Sequence, residues 1–374
     1  MRAFAPLRLL LVSATALVAA ACGDSFNPIA PEEPASAADV PTPEPVTGPL
    51  EDFAYWADGY LWAGTVDGKV ITQSTALYNR SGGGITVTKV AGTTGRYVTR
   101  FTNLSGLLGG KSTVHVTASG GKLGGHYCKP VNGFLVRDSV EVRCSVVGTA
   151  TPVNAEITVG VLGKRDDRAF AFANQLTATS YAPASAGSWN PAGATRVYRD
   201  GMGAYRVVFT GMGARLPGSG GHVQVNAVGT GKGHCMVSEW GGSPDLVVSV
   251  ACYAPGGARA DAKFTVLVTP PAAHLAYVWA DQPTQPSYTP DARYSSNPVG
   301  GAVTITRTFV GSYDIRWIGI DAEIRGLGNT QVTAWGFNNA QCKVAGFGPE
   351  SVSVRCYGPN GALIDTHFTA LLGS

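Results

Sequence analysis

Six cysteines in the body of the chain fall into three close pairs, Cys128/Cys144, Cys235/Cys252 and Cys342/Cys356. A cysteine pair ligates metal, does redox chemistry or forms a disulfide, and compartment and spacing decide which. Three pairs at repeated spacing behind an export signal read as three disulfides. Each closes a loop of about 15 residues, worth roughly 3 kcal/mol in the chain-entropy model. The seventh cysteine, Cys22, stands apart near the N-terminus.

The other chemistry-bearing residues form no catalytic constellation. His115, His126, His222, His234, His274 and His367 lack helical ligand spacing, and the third cysteine pair has Ala340 and Gln341 where the others have histidine. Sulfurs tied in disulfides do not ligate, so neither metal nor cofactor is expected. The stretch Gly106-Leu107-Leu108-Gly109-Gly110-Lys111-Ser112 misses the phosphate-loop spacing, and Val114-His115-Val116 continues as a strand where a helix is required. It reads as a β-turn. Recurring polar sets, Asp58/Asn174/Asp281 and Asn154/Asp261/Asp365, sit where Asp and Asn cap turns. Nothing pairs two carboxylates for glycoside cleavage.

Binding is the better expectation, and it belongs where the segments differ. Between an opening aromatic strand and an Asn-x-x-Gly turn stand Tyr60, Trp62 and Tyr78, then Tyr181 and Trp189, then Tyr288 and Tyr294. On exposed loops such rings stack on sugar faces or anchor a protein partner. The competing reading is packing in the core or at its rim.

These residues must be positioned by a β framework. Each segment opens with an aromatic strand, taken as Tyr55-Trp56-Ala57-Asp58, Phe170-Ala171-Phe172-Ala173-Asn174 or Tyr277-Val278-Trp279-Ala280-Asp281. Turns follow at Asn79/Gly82, Asn190/Gly193 and Asn297/Gly300, read as tight reversals at positive φ. A Gly-x-Tyr strand start comes next, at Tyr97, Tyr205 and Tyr313. Period-two runs then lead to a cysteine hairpin, where Val352, Val354 and Cys356 share a face, as do Val248, Val250 and Cys252. The disulfide is therefore expected on the core side. Seven or eight strands in about 105 residues predict an all-β chain of three tandem β-sandwiches, immunoglobulin-like or jelly-roll-like, each with one internal disulfide. Separate sandwiches are favoured over three blades of one closed object. The opening and closing strands of a unit are expected to pair, and the short joins imply that neighbours touch.

Composition agrees. With 374 residues, 44% hydrophobic, 14% charged and 49 glycines, the chain is long enough for several cores and rich in turns. Residues 53–374 hold 26 basic and 18 acidic side chains, with +6 in 53–166, +3 in 167–273 and −1 in 274–374. A basic first unit could face an anionic surface such as phospholipid or lipopolysaccharide. Nothing points to nucleic acid.

Arg2 and Arg8 precede an apolar run ending in Ala19-Ala20-Ala21-Cys22, so 1–21 reads as a signal peptide. The small-residue run ending on cysteine resembles the bacterial lipobox, although Ala19 stands where Leu is preferred. That resemblance implies an acyl anchor on Cys22, which would tether rather than span a membrane. Residues 22–52, rich in proline and acids, read as an extended tether, followed by units at 53–166, 167–273 and 274–374. Gly23 after the cysteine favours the outer membrane or cell surface.

The units also resemble tandem segments of secreted and lipid-anchored proteins of soil bacteria. The resemblance rests on Trp279-Ala280-Asp281, Gly311-Ser312-Tyr313, Cys342-Lys343-Val344, Val354-Arg355-Cys356 and Phe368-Thr369, with Ile157-Thr158-Val159 the main departure in the first unit. It implies fold and location, and supplies no catalytic residues. The function expected is that of a non-enzymatic envelope lipoprotein serving adhesion, envelope structure or capture of a glycan or envelope-protein ligand. Alternatives are an extracytoplasmic enzyme acting on polysaccharide, or a subunit of an envelope complex.

Overall fold

In a computed structural model, the described residues are 56–374 except 67–68, 122–123, 217, 219, 273–274, 321–327 and 374, with the side chains of 65–66 and 69–75 also outside. The signal peptide, Cys22 and the acidic tether lie outside the described residues.

Strands in the first segment are β1 (Gly59–Val66), β2 (Lys69–Asn79), β3 (Ile85–Lys89), β4 (Arg96–Phe101), β5 (Ser112–Ser119), β6 (His126–Pro130), β7 (Ser139–Val146) and β8 (Glu156–Gly163). The second has β9 (Ala169–Ala173), β10 (Ser180–Tyr181), β11 (Ser188–Trp189), β12 (Thr195–Gly201), β13 (Ala204–Phe209), β14 (His222–Val228), β15 (His234–Gly241), β16 (Leu246–Tyr253) and β17 (Lys263–Thr269). The third has β18 (Leu275–Ala280), β19 (Ser287–Tyr288), β20 (Ser295–Ser296), β21 (Val303–Phe309), β22 (Ser312–Trp317), β23 (Asn329–Ala334), β24 (Gln341–Gly348), β25 (Ser351–Tyr357) and β26 (Phe368–Gly373).

Each segment is a two-sheet sandwich. The first sheets run β2-β1-β8-β5, β11-β9-β17-β14 and β20-β18-β26-β23; the second run β3-β4-β7-β6, β10-β12-β13-β16-β15 and β19-β21-β22-β25-β24. Opening and closing strands pair antiparallel, as β1/β8, β9/β17 and β18/β26. Period-two alternation fills each sandwich with its own apolar core. In β25, Val352, Val354 and Cys356 point inward at 1% exposure or less. The disulfides Cys128–Cys144, Cys235–Cys252 and Cys342–Cys356 join directly opposed residues of the cysteine hairpins, with Cα atoms 4.0–4.1 Å apart.

Recurring acids are framework. Asp261 accepts from the Gly203 N–H, the Tyr205 hydroxyl and the Arg199 guanidinium. Asp365 does the same for Gly311, Tyr313 and Arg307. Gly203 and Gly311 sit at φ of +63° and +67°, where a side chain would be strained. The asparagines of the Asn-x-x-Gly turns lie outside the positive-φ set and act instead through their side chains. Asn79, Asn190 and Asn297 each donate Nδ2 to two carbonyls, bracing a loop to the next strand.

Three further local expectations differ from the structure. The stretch from Gly106, read as a β-turn, begins inside a one-turn helix, α1 (Leu104–Leu107), and turns only after it. The first described strand of the first unit is Gly59–Val66: Tyr55 lies outside the described residues, residues 56–58 are not strand, and Tyr60, rather than the expected opening stretch, takes the register position of Phe170 and Tyr277 opposite the closing strands. The stretch after it, expected as a loop, is the hairpin β1/β2.

The three sandwiches share one interior. Strand β5 is buried on both faces: Val114, Val116 and Ala118 enter its own core, while Thr113, His115, Thr117 and Ser119 face the other units. Strands β14 and β23 repeat this with His222, Gln224 and Asn226, and with Asn329, Gln331 and Thr333. Their polar atoms bond in a ring. The Val116 N–H donates to Asn226, the Val225 N–H to Thr333 at 3.2 Å, and the Val332 N–H to Thr117 at 3.1 Å. Each sandwich thus keeps a private core and also closes against both neighbours. An apolar cluster of Trp56, Tyr60, Phe170, Leu267, Tyr277 and Leu371 lies beside the polar ring.

Candidate functional site

Burial decides most of the aromatic candidates. Tyr60 and Tyr181 are 1% and 8% exposed, so neither face is free for a ligand. Tyr78 packs against Tyr60 with ring centroids 5.5 Å apart and planes tilted by 31°. The half-buried Trp189 donates its indole N–H to Arg165 O at 2.7 Å, with Lys111 over its ring. The hydroxyls of Tyr181 and Tyr288 accept from the Gln175 and Gln282 N–H groups, and Tyr294 packs edge-on against Trp240 and Trp279. These six belong to cores and rims, because strands β2, β10, β11 and β19 draw the expected loops onto the sheets. Trp62 is the exception.

Corresponding positions at the three seams carry different chemistry. Strand register aligns Ser119, Glu156 and Gly64 across β5, β8 and β1 with Val228, Lys263 and Asn174 in the second unit and Trp335, His367 and Asp281 in the third. The adjacent ring is Trp62, Phe172 or Trp279.

Between the second and third units, Trp240 reaches across to Trp279 and Trp335 at 5.8 and 6.5 Å, and Tyr294 and His367 complete the cluster. Burial there pushes the Asp281 carboxyl up and the His367 imidazole down, each shift being toward the neutral form. Between the first and second, Phe134 meets Phe172 edge-on at 6.1 Å and Gly133 lies flat against the same ring. Aromatic rings thus meet across both of these seams.

The seam between the third and first units is open. Ser119 stands where the third unit has Trp335, and the missing indole leaves a cleft of about 340 Å³ lined by Trp62, Ser119, Glu156, Phe347 and Ser351 among others. Phe347 is 49% exposed at its lip. The row places Gly64 beside both groups: a Cβ there would lie 2.9 Å from the Trp62 indole and 3.3 Å from Glu156 Cγ. Gly120, at φ of +110°, likewise lies against the Glu156 carboxylate. Two glycines therefore let an indole face and a carboxylate share one wall. Sequence reasoning picked Trp62 but missed Glu156, Phe347 and Ser119, whose grouping depends on contacts between segments far apart in the chain.

Among the described residues no group of three or more His, Cys, Asp or Glu side chains could hold a metal ion. No described helix is long and apolar enough to cross a membrane. The three disulfides indicate an oxidising, extracytoplasmic environment. In comparisons with protein-family models, curated proteins and solved structures, nothing matched this chain.

Proposed function

We propose that the protein is a non-enzymatic ligand-binding protein of the bacterial envelope, held through an acyl group on Cys22, and that the open cleft takes a glycan. The carrying observation is that the cleft between the third and first units is lined by an indole, a phenyl ring, a carboxylate and serine hydroxyls. Sugar rings stack their C–H faces on such aromatics while carboxylates accept from their hydroxyls. Glu156 is the one carboxylate among the described lining residues, whereas glycoside cleavage ordinarily employs two. Binding, not hydrolysis, is the chemistry this supports.

The test is a glycan-binding screen of the full chain beside a Trp62→Ala/Phe347→Ala double variant. Binding of a defined glycan that the variant loses supports the reading; no binding to any glycan, or binding unchanged in the variant, overturns it. Mass spectrometry of Cys22 and membrane fractionation of Cys22→Ala test the anchor separately.

A further inference from the structure

A second, chemically opposite cleft lies on the seam between the first and second units. Two adjacent cavities of about 570 and 390 Å³ share Lys129, Thr230, Gly231 and Lys232 in their walls. The glycine-rich segment Gly229–Gly233 divides them, and three bonds tie it to β6. The Gly229 N–H donates to Pro130 O at 2.9 Å, the Tyr127 hydroxyl to Lys232 O at 2.7 Å, and Lys129 Nζ to Gly233 O at 2.8 Å. The segment is therefore held in place before any ligand arrives.

Lys129 is 5% exposed, and among the described residues no carboxylate forms a salt bridge with it. Like charges surround it: Arg143 lies opposite it across the hairpin, and Lys232 and Lys263 line the same cavity, whose wall also holds Asp261. The nearby acids are already engaged, Glu141 by Arg96 and Arg143, and Asp261 by Arg199. A buried ammonium with one carbonyl acceptor and no counter-charge is costly.

The fold does not require that cost. At the corresponding hairpin position the second unit has Met236 opposite Ala251, both buried, and the same hairpin forms. In the third unit, Lys343 has the Glu156 charge nearby as partial compensation. Lys129 alone combines deep burial, a cavity and no opposite charge.

We propose that this cleft binds a phosphate or sulfate group, with Lys129 and Lys232 contacting the anion and the tethered Gly229–Gly233 segment shaping its seat. Such a group has two sources, a free ion or a phosphorylated lipid headgroup, and the fixed, partly enclosed cavity suits either.

Titrate the full chain with inorganic phosphate and with sulfate by calorimetry, and separately with phosphatidylcholine vesicles with and without phosphatidic acid. Compare Lys129→Met and Lys232→Ala. Lys129→Met carries the residue that the second unit already accommodates, and Lys232 is exposed, so both variants should fold. The expected result is binding that each variant weakens roughly tenfold or more, the loss of one charge-assisted contact. Lys129→Met should also raise Tm, because it removes an uncompensated charge. Binding to the free ions assigns a soluble anion; binding to acidic vesicles alone assigns the headgroup. No binding to any of these probes, binding unchanged in both variants, or a Lys129→Met protein that loses stability while retaining affinity overturns the proposal.

Discussion

The backbone N–H of Val332 donates to Thr117 Oγ1 at 3.1 Å, joining strands 215 residues apart. The same hydroxyl donates to Gln331 Oε1 at 2.8 Å. Thr117→Val keeps the shape and removes both bonds, leaving a buried N–H and a buried amide oxygen short of partners. The expected cost is about 1–3 kcal/mol. It should appear as a lower urea midpoint with an unchanged m-value, since the folded and unfolded surfaces stay the same.

Asp58 carries the second prediction. Burial pushes its carboxyl up, but Arg165, Arg168 and the Gly163 N–H outweigh that and hold it below the usual carboxylate range. Arg80 and Arg165 contact it at 2.9 and 3.0 Å, and Arg168 stands 3.8 Å away with a fully buried side chain. Asp58→Ala leaves Arg168 with only the partly exposed Asp167, a loss of about 3–5 kcal/mol by analogy with broken buried pairs. Thermal unfolding of the variant measures it.

Stability should also fall on mild acidification. Burial pushes His115, His222 and His234 down to about 3, aided by His115 beside His222 and by Lys129 beside His234. In the unfolded chain they take up protons near pH 6.5, so the folded state is fully favoured above that value. It loses up to about 1.4 kcal/mol per pH unit per histidine as pH falls from there toward 3. Asp261, held near 2 by Arg199, adds a loss below its ordinary value of 3.8. His115→Gln, the residue at the matching positions 224 and 331, should flatten the Tm-against-pH slope above about pH 4 by at most about one third, since it removes one of the three most strongly shifted histidines while His126 and His367, also pushed down, still contribute.

The cysteine hairpins, the paired opening and closing strands and the private cores were legible because period-two alternation and cysteine spacing are local signals. The shared interior was not. His222-Val223-Gln224-Val225-Asn226 has the pattern of any strand with one wet face, yet its polar face bonds to neighbouring units. Trp62 was legible as a candidate by type alone. That it escapes burial, whereas Tyr60 two residues earlier does not, depends on Ser119 and Phe347, which alternation in β1 cannot reveal.

If the cleft exists because Ser119 replaces an indole, restoring the indole should close it. Ser119→Trp adds to the first unit the residue that the third carries as Trp335, where it packs against Trp279 at 4.9 Å. The matching neighbours are present, since Trp62 occupies the Trp279 position and Phe347 the Trp240 position. An indole fits within about 340 Å³ and would cover the Glu156 carboxylate. The expected outcome is an unchanged or higher Tm together with loss of any glycan bound there. The reverse change, Trp335→Ser, removes a ring from a filled seam and should cost about 3–5 kcal/mol, as large-to-small aromatic truncations do. A Ser119→Trp protein that folds and still binds its glycan at full affinity would place the binding surface elsewhere.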